Sequence, residues 1–323
     1  RGTVVGDYQN LGPGTADDLA PTYTLSTDES QIVRWLHWWT GLIIGTLGKI
    51  IVLKSPTTTG FTPTDLPTVS EYAVGCAAIQ PFRAGNALIF IEDGGRRSMQ
   101  LQYNYLNDNY DVEDLIALSE HLTGTYTFTD HCWAPVQDKI AWHLRSDGIL
   151  CALTYSPQEK VRGWSRHSTA TGAGTSTIES IAALWNPIKK RDELWAVINR
   201  TIDGATVRYI EVLDPDKYLD CSLTYSGAAT ATITGLSHLA AESVMIYGKA
   251  ADGLWRIYPA QTVTSNEVTG LSPAVTDAEV GINFTATLTT QRVELPGQTT
   301  LQGRKKAFGL TTLRCSNTPL LSI

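Results

Sequence analysis

The chain has 323 residues, a formal net charge of −7 and 18% charged residues. That length supports one large or two ordinary domains with a sizeable core, and the acidic balance excludes a protein that grips nucleic acid through its phosphates. Low charge, 27 glycines and only two methionines, with Thr and Ser plentiful, lean the chain towards strands over helices.

In chain order, the first strong signal is GLIIGTLGKIIVL over residues 41–53. It is shorter than the about 20 residues that a bilayer span needs and carries Lys49, so it reads as two apolar strands joined near Gly48. Three later stretches repeat the design: NALIFIEDGGRRSMQLQY, DKIAWHLRSDGILCALTY and DELWAVINRTIDGATVRYIEVL. Their turn glycines are Gly95, Gly148 and Gly204. An antiparallel hairpin about every 50 residues, with EDGG, SDG and IDG as turn chemistry, predicts propeller blades, and an array of β-sandwiches is the alternative. Between the second and third hairpins, DVEDLIALSEHLTG over 111–124 has acids first, apolar residues mostly on one face and a terminal glycine, which predicts one short helix.

After Asp214-Pro215 the texture changes to Thr, Ala and Gly-rich short strands. The expected organisation is all-β: propeller-like blades over 1–217, an inserted small β-barrel or sandwich over 218–294, and a strand over 295–323 returning to the main body.

Chemical motifs are tested position by position. A phosphate loop around Gly48-Lys49 needs Gly at 43 and Ser or Thr at 50, and both are Ile. Glu92, Asp93, Asp111, Glu113 and Asp114 are carboxylates that a glycosidase could use, but they sit at turns or in an expected first helical turn, where acids belong anyway. Ser146-Asp147-Gly148 lacks the spacers and the Trp of a sialidase turn. Asp130-His131-Cys132 invites a nucleophile reading, yet neighbours on a strand point to opposite faces. Cys76, Cys132, Cys151, Cys221 and Cys315 have neither paired nor zinc-like spacing and read as reduced thiols. Neither a metal nor a cofactor is expected. The basic clusters at 189–191 and 303–306 read as solvated edges.

Nine Trp could line a sugar groove, but most fall on blade strands. In RWLHWWT, Trp35, Trp38 and Trp39 cannot share one strand face, and Trp39 is the candidate for a subunit contact. Arg96 and Arg97 of IEDGGRRSMQ are candidates for pairing with Glu92, Asp93 or a neighbouring subunit.

Several stretches carry a resemblance: GDYQN at 6–10, ADDLAPTYTLSTDESQIVRWL, LIFIEDGGRRSMQLQYNY with DVEDLIALSEHL, DKIAWHLRSDGILCALTYSPQEKVRGWSRHST, and TVRYIEVLD with YLDCSLTY. In order, from Gly6 to Tyr225, the chain resembles the tail nozzle proteins of short-tailed bacteriophages, also called tail tubular or packaged-DNA stabilisation proteins. GGRR and the Gly-Trp-x-Arg-His at 163–167 are its most particular pieces. The resemblance implies a non-enzymatic structural virion protein, made in the host cytoplasm and placed in the tail. It implies a ring of identical subunits, a hexamer, below the portal and adaptor and in contact with other tail proteins. DNA would pass through the distal ejection channel without specific binding, and no membrane-spanning segment is expected. Family members are longer at both ends, so a fragment is expected. The alternatives are a receptor- or sugar-binding phage adhesin and a propeller-class polysaccharide hydrolase.

Overall fold

The computed structural model describes residues 2–24, 32–39, 41–55, 61–64 and 68–289, with 312, 314 and 318. The 303–306 cluster, Cys315 and, isolated residues apart, the expected strand over 295–323 lie outside them. Among the described residues strand makes up 53% and helix 3%, so the fold is all-β. It divides into two compact units, the first holding residues 1–168, 176–199 and 208–213 and the second 169–175, 200–207 and 214–323. Residues 169–175 and 200–207 are ones that sequence reading leaves with the blades.

Four sheets run in chain order. The first is β1 (Val33–Trp38), β2 (Leu42–Thr46), β3 (Ile50–Lys54) and β4 (Thr68–Tyr72). The second is β5 (Phe82–Ala84), β6 (Ala87–Ile91), β7 (Ser98–Asn104) and β8 (Asn109–Asp114). The third is β9 (Phe128–Ala134), β10 (Ile140–Arg145), β11 (Leu150–Ser156) and β12 (Val161–His167). The fourth has three strands, β13 (Ser176–Asn186), β14 (Arg191–Ile202) and β15 (Ala205–Val212). In every sheet, strands follow sequence order. The four hairpins read from sequence are β2–β3, β6–β7, β10–β11 and β14–β15, so the repeat is one of blade-like sheets.

In the first three blades most hairpin positions are buried on both faces, which is why those strands read as nearly continuous apolar runs, whereas β14 and β15 alternate. In β6, Leu88, Ile89, Phe90 and Ile91 are all fully buried. Leu88 and Phe90 pack with Trp35, Ile43, Ile50 and Val52 of the first blade. Ile89, on the other face, packs with Ala141, Leu153 and Tyr155 of the third. The third blade then turns Trp142, Leu144, Leu150 and Ala152 towards Ile178, Leu194 and Ile198 of the fourth. Burying each such side chain contributes about 1.5–3 kcal/mol, so the blades stack as layers that share cores.

The turn glycines explain the period. Gly95, Gly148 and Gly204 have φ of 69°, 78° and 72°, the left-handed region that only glycine enters freely. Gly95 O accepts a bond from Phe128 N at 2.7 Å, and Gly148 O one from Ile178 N at 3.2 Å. A Cβ on Gly95 would stand 3.0 Å from Thr127 Cβ, and one on Gly148 2.8 Å from Thr177 Cβ. Each turn is therefore a seat for a Thr-apolar pair at or just before the start of the next blade's first strand. At Gly204, a Cβ would meet no described atom within 4 Å.

Two expectations are corrected. The stretch 111–124 is not a helix: its start belongs to β8, whose Val112 pairs with Leu101 and whose Tyr110 pairs with Tyr103. A 3-10 turn at Glu120–Leu122 is what remains helical. Cross-strand pairing overrides the helical spacing, and Leu118, expected on the apolar face, is fully exposed. Of the two forms expected for the inserted region, barrel or sandwich, the barrel is not formed, since no sheet among the described residues closes into one. In the second unit, β16 (Asp220–Thr230), β17 (Ile233–Thr234), β18 (Ser243–Ala250), β19 (Trp255–Thr262), β20 (Glu267–Val268) and β21 (Val275–Ile282) form a sheet ordered β16-β21-β18-β19 and a separate β17-β20 ladder. One core, including Ile233, Leu236, Val244, Ile246 and Val280, lies under both. Buried Glu279 holds the entry to this sheet by accepting bonds from Tyr218 N at 3.0 Å and Leu219 N at 2.7 Å.

Candidate functional site

The hairpin turn at 92–97 is closed on itself. Glu92 N donates to Arg97 O at 3.0 Å and Gly95 N to Glu92 O at 2.8 Å. The Arg97 guanidinium lies 3.6 Å from Glu92 and 3.7 Å from Asp114, while Asp93 faces Arg34 at 3.9 Å. Arg96 is exposed and forms no ion pair among the described residues. Of the two arginines, Arg97 is committed within the chain and Arg96 points its charge outward. Trp39 is half-buried, edge-on to Tyr110 at 6.3 Å, with the Arg83 guanidinium 5.1 Å above its ring. In that segment Trp35 is buried and Trp38, edge-on to Phe61 at 5.7 Å, is 62% exposed, so Trp38 offers the more exposed ring.

Between the second and third blades, aromatic rings enclose two histidines. His143 is fully buried; Nε2 accepts from Ser98 Oγ at 2.9 Å and Nδ1 donates to Ala141 O at 3.2 Å. His131 donates from Nε2 to Gln80 O at 2.8 Å, and its buried Nδ1 has no partner among the described residues. The carbonyl acceptors fix these tautomers, because a carbonyl oxygen cannot donate. Burial lowers the His131 pKa to about 4 and that of His143 well below its usual value. Both rings are therefore neutral packing groups near pH 7. Cys132, next in sequence, packs on the opposite face towards the fourth blade, so Asp130, His131 and Cys132 are not assembled as a nucleophile. Asp130 instead accepts from Ile181 N at 3.2 Å and Ser180 Oγ at 3.3 Å, tying β9 to β13.

The other candidate groups have structural partners. Glu113 takes the Arg162 guanidinium, Asp111 accepts from Asn104 Nδ2 at 2.8 Å, and Asp114 accepts from Ile116 N at 2.8 Å. Cys76 and Cys132 thiols are pushed up to about 12 by burial, and Cys151 to about 11, which removes thiolate character at neutral pH. Cys76, Cys132, Cys151 and Cys221 are thiols, not disulfides. Among the described residues no group of three or more His, Cys, Asp or Glu is placed to hold a metal, and no helix is long and apolar enough to cross a membrane.

An exposed apolar area on the fourth blade is one that sequence reading missed. Asn199 and Arg208 both bond Glu179, at 3.0 and 2.8 Å, which puts them on one face of the fourth sheet. Strand alternation then places Trp195 on that face of β14, and Ile210 and Val212 on that face of β15. Trp195 is 36% exposed, Ile210 74% and Val212 37%. Leu184 and Trp185 near the end of β13 and Ile188 in the β13–β14 turn are also exposed. In the first three blades the face in the corresponding direction is covered by the next blade. The signal in the sequence was the apolar alternation of LWAVI and VRYIEVL, which marks a buried strand without saying what buries it.

Compared with known proteins, the chain matches no family model and no curated sequence.

Proposed function

We propose that the protein is a structural subunit of a short-tailed phage tail: a nozzle or hub protein that joins identical copies into a ring around the DNA-ejection channel, without catalysing a reaction. The observation that carries this reading is the outer face of the fourth blade, apolar and uncovered at Trp195, Ile210 and Val212. Exposed apolar surface of this kind marks a protein contact, and a ring built from one subunit type joins two different surfaces of each copy. Ordered resemblance over residues 6–225 supplies the tail assignment and the hexameric count. A net charge of −7 suits a channel wall that repels passing phosphate.

Electron microscopy of the full-length protein and of virions tests the proposal. Sixfold rings in the purified protein, located at the tail tip in particles, are expected. The pair Trp195→Glu and Ile210→Glu should return a folded monomer. A wild-type protein that stays monomeric and is found nowhere in the particle would overturn the reading.

A further inference from the structure

The β7–β8 hairpin carries a feature that the proposed ring does not use and that the blade stack engages only at its inner end. A cleft of about 420 Å³ opens on it, lined in part by Gln100, Gln102, Asn104, Asp111, Glu113 and Tyr105. The strand register sets Gln100 opposite Glu113 and Gln102 opposite Asp111. Gln100 donates to Glu113 at 2.5 Å and Asn104 to Asp111 at 2.8 Å, so amides and carboxylates form a ladder on one face. From Gln100 to Asn104 the row extends about 13 Å at the rise of a strand.

The members of this ladder differ in how far they are already committed. Gln100 also accepts from the buried Tyr155 hydroxyl at 2.6 Å, and Glu113 is neutralised by Arg162. Those two groups are the inner, fixed end. Gln102 is half-buried, and its side-chain amide has no hydrogen-bond partner among the described residues. Asp111 accepts through Oδ2 alone. The Tyr105 ring stands 88% exposed beside them, held edge-on to Tyr103 at 4.8 Å.

We infer that this cleft binds a neutral oligosaccharide. Planar amides and carboxylates in a row both donate and accept, which matches adjacent sugar hydroxyls, and an exposed tyrosine gives an apolar ring face with a fixed orientation. The volume lies within the range of roughly 300–1,000 Å³ of small-ligand sites. Charge narrows the class further. With Glu113 paired, Asp111 leaves one uncompensated negative charge, which disfavours phosphate, sulfate and nucleic acid and is too little to select a basic peptide. The inference does not depend on the ring proposal, because every group named belongs to one hairpin and its partners within the blade stack.

A printed array of neutral oligosaccharides, with sialylated and sulfated glycans and a lysine-rich peptide on the same slide, tests it using the full chain. Binding to at least one neutral glycan is expected. Tyr105→Ala and Gln102→Ala should each weaken that binding tenfold or more at unchanged melting temperature, since neither side chain is in the core. With the captured glycan, the side-chain amide resonances of Gln102 and Asn104 should shift. The inference is overturned by an array with no neutral glycan bound, by capture of the acidic glycans or the peptide alone, or by variants that bind as the parent does.

Discussion

His131 and His143 are neutral because their surroundings leave no room for charge. Burial outweighs the attraction of Asp130 on His131, and each ring would have to give up an aromatic contact, with Phe82 or Phe128, to reach water. The folded pKa values lie below the unfolded value near 6.5, so the unfolded chain takes up protons first as pH falls. Stability is complete above about pH 6.5 and declines towards pH 4, by about 3 kcal/mol for His131. Thermal melting between pH 7.5 and 4.5 should show this fall, and His131→Gln should make it smaller. A wild-type melting temperature constant over that window would contradict the account. Sequence pattern was enough to separate His131 from Cys132, since adjacent residues of a strand face opposite ways. It could not reveal that Ser98 and His143, 45 residues apart, would meet.

At the level of the element, the turn glycine is where one blade receives the next. Gly148→Ala combines a left-handed backbone with a Cβ 2.8 Å from Thr177, and should cost about 2–4 kcal/mol. Gly204→Ala has the same backbone penalty without the contact, and should cost about 1–2 kcal/mol. Chemical denaturation of the two variants measures the difference; equal losses would mean that the seat contributes nothing. The hairpins themselves were legible, because continuous apolar runs broken by glycine turns have few other readings. The stretch 111–124 misled because Val112, Leu115, Ile116 and Leu122 satisfy a helical stripe while Tyr110 and Val112 also satisfy a strand. Pairing with β7 decides between them, and pairing is not local.

For the whole molecule, the open face of the fourth blade and the outward charge of Arg96 bear on assembly. Arg97 is held by Glu92 and Asp114, so reversing it disturbs the chain's own turn. Arg96→Glu is the cleaner probe: the proposed ring should weaken in size-exclusion chromatography with light scattering, more strongly at low salt, while the melting temperature stays within a degree or two. A ring unaffected by this change removes Arg96 from the interface and leaves the apolar face as its test.

The amino-acid sequence by itself determined the strand class, the four hairpins and their spacing, because apolar runs and turn glycines act within a few residues of one another. It determined equally that a phosphate loop cannot form at Gly48, since both required neighbours are Ile. What only the tertiary structure decided is which faces are covered and which side chains meet. The seat of Gly148 on Thr177, the histidine pair, the polar ladder opposite Asp111 and Glu113, and the open sheet in place of a barrel all depend on register and on layers brought together from distant segments. Those contacts are set by packing and cross-strand pairing, and no local pattern encodes them.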